Sequence, residues 1–161
     1  MKEKCQHSPI CYTTYMTEET FTDNDIRGKL TAGASLDFAW NVGRALSDWL
    51  PGEGNVAIMR DENASDSLVH ALVEGLRLQG RTVCDALAGN DERLRGVIAA
   101  GGYAGGVLVG TDAESEQVTI ELLSEDGQLI DSQSGLSDIE MMIESGNLVP
   151  SNVKGELVFL S

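Results

Sequence analysis

Apolar residues return every three or four positions at Leu36, Ala39, Trp40, Val42, Gly43, Leu46, Trp49 and Leu50. This predicts a helix that Ser35 can cap and Pro51-Gly52 stops. The next apolar run, 55–60, is short and unbroken, as in a strand buried on both faces. Ser65 opens a second amphipathic helix carrying Leu68, Ala71, Leu72, Gly75, Leu76 and Leu78, with Gly80 beyond its end. Residues 82–87 then read as a second buried strand, 91–100 as a short helix and 106–109 as a third strand, with Asp112 in a turn just beyond it. Such alternation favours right-handed crossovers and a parallel sheet covered on both faces. The period then changes. Residues 118–123 alternate like a half-buried strand, and the turn 124–127 leads to 128–130, which predicts a hairpin added to the sheet. A helix over 137–144 and a terminal strand over 153–160 complete the pattern.

The expectation is a single α/β domain over 21–161, three-layered, with a mixed and mainly parallel sheet between helices. Residues 21–30 read as an irregular or extended lead-in. Residues 1–20 lack periodicity and are rich in Thr, Glu and Lys, so they read as a flexible N-terminal arm. At 161 residues the chain suffices for one real core, and its 42% apolar and 23% charged residues are a globular balance.

Acidic residues outnumber basic ones by 26 to 11, a formal charge of -15. That field repels nucleic acid and anionic membranes, which bind clustered Lys and Arg. No apolar run approaches the roughly 18 residues of a membrane span, and residues 1–16 lack the apolar core of a secretory signal, so the expectation is a cytoplasmic protein. Three cysteines, Cys5, Cys11 and Cys84, suit a reducing compartment. Cys5, His7 and Cys11 lack a fourth metal ligand, because the only other histidine, His70, falls on a predicted helix. Gly101, Gly102, Gly105 and Gly106 precede a strand instead of joining a strand to a helix, the wrong context for a dinucleotide loop. Neither metal nor cofactor is expected.

Four collinear segments carry a likeness to a known family. They are Phe21 with Asp25-Ile26-Arg27-Gly28-Lys29, then Val42-Gly43-Arg44-Ala45-Leu46, then Ala57-Ile58-Met59-Arg60-Asp61 with Ser65, Ser67 and the helix from Ala71 to Leu76, and finally Gly101-Gly102 with Gly105-Gly106-Val107-Leu108-Val109. Together they resemble the first domain of the α-D-phosphohexomutases, the phosphomannomutase and phosphoglucomutase family. In that family the residues after the last segment are typically Thr-Ala-Ser-His-Asn-Pro, whose serine carries the transferred phosphoryl group. Laid without a gap, the resemblance puts Asp112 at the phosphoserine and Ala113 at the histidine, while Glu121 stands near an expected lysine. Phosphoryl transfer needs an acceptor, a divalent cation and positive charge around the developing oxygens. This loop supplies Asp112, Glu114 and Glu116. The resemblance also implies three further domains holding the metal-binding aspartates and the sugar- and phosphate-binding loops, so complete mutase activity is not expected from these residues alone.

Three readings follow. The first is a non-catalytic relative that binds another chain or itself, a homodimer being the economical form; apolar surface facing the family's next domain needs a cover, and the terminal strand is a candidate interface. The second is a phosphosugar or anion sensor using Arg27, Arg60 and the helix N-terminus at Ser65. The third is an enzyme: one part of a split mutase, or an unrelated activity on this scaffold.

Overall fold

In a computed structural model that describes residues 19–29, 34–112, 114 and 117–160, the chain starts with two short strands, β1 (Glu19–Phe21) and β2 (Ile26–Lys29). There follow α1 (Ala34–Trp49), β3 (Asn55–Arg60), α2 (Asp66–Leu78), β4 (Val83–Ala88), α3 (Asp91–Ala99) and β5 (Tyr103–Asp112). The chain continues through β6 (Gln117–Ser124), α4 (Leu136–Ser145) and β7 (Leu157–Phe159). The strands form one sheet in the order β1-β2-β6-β5-β3-β4-β7. β5, β3, β4 and β7 run parallel, and β6, β2 and β1 extend the β5 edge in antiparallel fashion.

The expected three layers are present. Along β3 the side chains alternate, Val56 and Ile58 joining the core under α1, α2 and α4, Ala57 and Met59 joining the smaller core under α3. No helix among the described residues is long and apolar enough to cross a membrane.

α1 and α2 meet backbone to backbone because both crossing positions are glycine. A Cβ on Gly43 would collide with the Leu72 carbonyl, and one on Gly75 with the Trp40 carbonyl. Beyond α1, the buried Arg81 donates to the carbonyls of Ser47 (3.1 Å), Leu50 (2.7 Å) and Gly54 (2.8 Å), closing the helix end that Pro51 leaves open.

Several elements differ from the sequence pattern. The strand expected over 106–109 runs from Tyr103 to Asp112, so Asp112 is not in a turn but is the last strand residue, opposite Gln117. Pairing with β6 carries the chain three residues past the apolar run. The β1–β2 hairpin takes in Glu19 and Thr20, the last two residues of the expected arm, together with the lead-in over 21–30, and is pinned where Thr22 Oγ1 donates to the Asp25 carboxylate at 2.7 Å. The arm expected over 128–130 shrinks to one bridge, Leu123 to Leu129. The terminal strand shrinks from 153–160 to three residues, because residues 151–155 instead meet the end of α2: Ser151 N–H donates to the Leu78 carbonyl and Gly155 N–H to the Arg77 carbonyl. Residues 1–18, with the Cys5, His7 and Cys11 reading, and Ala113 lie outside the described residues.

Candidate functional site

At the carboxyl ends of the parallel strands the connections diverge. α2 leaves β3 towards one face of the sheet and α3 leaves β4 towards the other. This is a topological switch point, where open α/β sheets bind ligands. An open cleft lies there, lined by Asp61, Glu62, Asn63, Gly89, Asn90 and Arg93.

Arg60 ends β3 and turns to the α2 side. Its guanidinium lies 2.5 Å from Asp85 of β4 and 3.2 Å from Asp66 of α2. Asp85 is buried and its other oxygen accepts from Leu87 N–H at 2.8 Å, holding Leu87 in a left-handed conformation (φ 66°). Ser65 caps α2 as expected, its hydroxyl accepting from Leu68 N–H at 3.3 Å. Ser65 and Arg60 are therefore close, joined through Asp66, but acids hold the cation and the helix takes the hydroxyl.

Arg27 lies elsewhere. The register runs Arg27 to Thr119, Thr119 to Gly110, and the neighbouring Val109 to Arg60. This separates the two arginines by three strand spacings, about 14 Å. Ile26 and Gly28 are buried on the α1 side, so alternation turns Arg27 to the α3 side, the opposite face from Arg60. There it binds the buried Asp25 at 3.1 Å, and that hydrogen bond raises its proton affinity further. On the same face burial pushes the Glu121 carboxyl above its ordinary value, with the negative charges of Asp25 and Asp91 adding to the effect. The fold thus does not join Arg27, Arg60 and Ser65 into one anion pocket.

Asp112 closes β5 at the edge of this region, with Lys29 two strands away on the row Asp112–Gln117–Lys29. The strand end is held from below by Asp61. One Asp61 oxygen accepts from Thr111 N–H at 2.8 Å, the other from Asn63 N–H at 3.0 Å, while Asp61 N–H donates to the Val109 carbonyl at 2.9 Å. One carboxylate therefore ties the β3–α2 loop to the last residues of β5. The Thr111 hydroxyl is buried without a hydrogen-bond partner among the described residues. Arg93 donates to the Ala88 carbonyl at 3.0 Å, and Asn90 caps α3 by accepting from Arg93 N–H. Among the described residues, no three His, Cys, Asp or Glu side chains converge as a metal set.

Sequence reasoning passed over Asp25, Asp61 and Asp85, the acids that organise these contacts. Asp85 had a signal: a charge inside the apolar run Val83-Cys84-Asp85-Ala86 calls for a buried partner. Asp61 was visible only as half of the Arg-Asp pair.

No protein-family model matches the chain. Among curated proteins it is 30% identical over 138 residues to a phosphomannomutase from Klebsiella pneumoniae, covering 84% of this chain and 87% of that one. It is 29% identical over 139 residues to the phosphomannomutase of Salmonella typhimurium (strain LT2), covering 85% of this chain and 30% of the relative. The chain thus spans about a third of the length of such larger relatives. Among solved structures it matches a phosphoglucomutase/phosphomannomutase family protein from Burkholderia thailandensis, with TM-score 0.67, 19% identity, and coverage of 88% of this chain and 33% of that one. A chain from Thermus thermophilus named as a phosphomannomutase gives TM-score 0.72 at 17% identity, with 89% and 33% covered.

Proposed function

Because the chain belongs to the phosphomannomutase and phosphoglucomutase family, we propose that it is a non-catalytic, cytoplasmic domain of the mutase type that acts by binding. One observation carries this reading: the arginine of the family-like segment at the end of β3, Arg60, is engaged by Asp85 and Asp66. A phosphoryl group arriving there would meet a neutralised cation and would compete with two carboxylates for it. Asp112 stands where resemblance places the phosphoserine, so the strand end already bears the negative charge that a transferred phosphoryl group would bring.

The test is incubation of the purified chain with Mg²⁺ and a ³²P-labelled hexose bisphosphate, followed both for mutase turnover and for covalent label. The expected result is neither. Label that is released by hydroxylamine and absent from Asp112→Asn would overturn the proposal and make Asp112 an aspartyl-phosphate nucleophile.

A further inference from the structure

From Leu148 to Leu160 the chain crosses the end of α2 and then pairs with β4, and over this stretch only Gly155 is buried. Val149 and Val153 are each 75% exposed and Phe159 is 63% exposed. The buried residues of the two cores include none from it; Leu148 and Leu157 lie at the margin of the larger core and Leu160 at that of the smaller. What holds the segment is polar. Arg44 donates to the Leu148 carbonyl at 2.8 Å, Gln79 to that of Val149 at 2.8 Å and Arg77 to that of Gly155 at 2.9 Å. Ser151 N–H and Gly155 N–H donate to the Leu78 and Arg77 carbonyls at the end of α2, and Lys154 pairs with Glu74 at 2.7 Å. Beyond these contacts Val83 N–H donates to the Glu156 carbonyl and Leu160 N–H to the Asp85 carbonyl, which makes β4 an interior strand.

We propose that residues 148–160 form a strap that opens and closes as one unit while the rest of the domain stays folded. A segment opens locally when its release exposes little apolar surface and its hydrogen bonds already lie beside water. Both conditions hold here, whereas α1, α2 and strands β3 to β5 share buried apolar side chains. The contacts are also in series. Glu74 and Arg77 fix residues 154 and 155, and the chain reaches β4 from there, so loss of the α2 contacts frees β7 with them.

Gly155 is the pivot of this device. It lies so close to the Arg81–Thr82 peptide that a Cβ there would collide with the Arg81 carbonyl. Opening leaves Val83 N–H and the Asp85 carbonyl unpaired at a new sheet edge. Asp85 is also the acid that engages Arg60, so the last bond of the strap and the site at the strand ends share one residue. The inference does not depend on the non-catalytic reading, since the strap would lie beside Arg60 in a catalytic domain as well.

Native-state amide hydrogen exchange, at a series of urea concentrations below the unfolding transition, tests it. The expected result is that the Val83, Ser151, Gly155 and Leu160 amides exchange through one opening with a small urea dependence. Val107 in β5, two strands from β4, should exchange only with the large dependence of global unfolding, because the urea slope scales with the surface exposed. Lys154→Met removes an ion pair that is half open to water, and should speed the four strap amides by roughly two- to fivefold while leaving Val107 unchanged. Gly155→Ala should leave the four unprotected, with Val107 still protected and the helical far-ultraviolet signal retained. Strap amides that share the urea dependence of Val107 in the unaltered chain overturn the inference. So does a Gly155→Ala chain that keeps the strap amides protected, or one that loses Val107 protection together with them.

Discussion

Asp85→Asn separates the charge of Asp85 from its shape. The amide oxygen can still accept from Leu87 N–H, now at 2.8 Å, so the left-handed turn at Leu87 keeps its support. What disappears is the negative charge 2.5 Å from Arg60, whose side chain is only 19% exposed against 7% for Asp85. Removing one member of a buried ion pair costs about 3–5 kcal/mol, because the other charge stays out of water without its partner. Arg60 retains Asp66, but that carboxylate is 92% exposed and such a pair contributes at most about 1 kcal/mol. The expected loss is therefore at the lower end, about 3 kcal/mol, or roughly 6–12 °C in melting temperature for a chain of this size. Arg60→Met should cost a similar amount by stranding Asp85. Arg60→Met with Asp85→Asn should recover about 2 kcal/mol of the summed losses, since no buried charge is then unpaired. Urea unfolding of the four proteins at one fixed concentration measures this, concentration being held because association adds apparent stability. A cost below about 1 kcal/mol for Asp85→Asn, or strictly additive single changes, would refute the argument that Arg60 is engaged by the fold.

Gly75→Ala should destabilise by about 1–3 kcal/mol, since the new methyl meets the Trp40 carbonyl and neither backbone can yield. Gly96→Ala in α3, with nothing within 4 Å of the added carbon, should instead stabilise by about 0.5–1 kcal/mol, and equal effects at both sites in urea unfolding would contradict the close helix contact. Glu121→Gln should raise the melting temperature at pH 7 and leave it unchanged near pH 3. Burial first, then Asp25 and Asp91, lifts the folded carboxyl above its ordinary 4.5, so its contribution is fully present below that value and lost as pH rises through the higher folded one. The same gain at both pH values would show that the substitution acts through packing alone.

The alternation of periods was enough to read the layers. α1, β3, α2, β4 and α3 lie within a residue or two of where the apolar spacing puts them, because each buries one stripe or one run and the caps at Ser65 and Gly80 are local chemistry. Where pairing partners decide an element, the sequence misled. β5 extends to Asp112 because β6 is there to pair with it, and β7 stops at three residues because the preceding segment bonds to α2 instead.

For the site the division is sharper. The sequence by itself determined which residue types occupy the strand ends: Asp112 where resemblance places a serine, the Arg60-Asp61 pair, and a heavy excess of acid. It could not determine what those groups touch. Arg27 and Arg60, both in family-like motifs, stand on opposite faces because side-chain direction alternates along each strand and the pairing across β2, β6, β5 and β3 sets which face each one meets. Asp85, 25 residues from Arg60 in the chain, meets it only because β3 and β4 are parallel neighbours. A cation's partner is set by distance in space, and only the tertiary structure brings these acids within about 3 Å, where their attraction offsets part of the cost of taking the charges out of water.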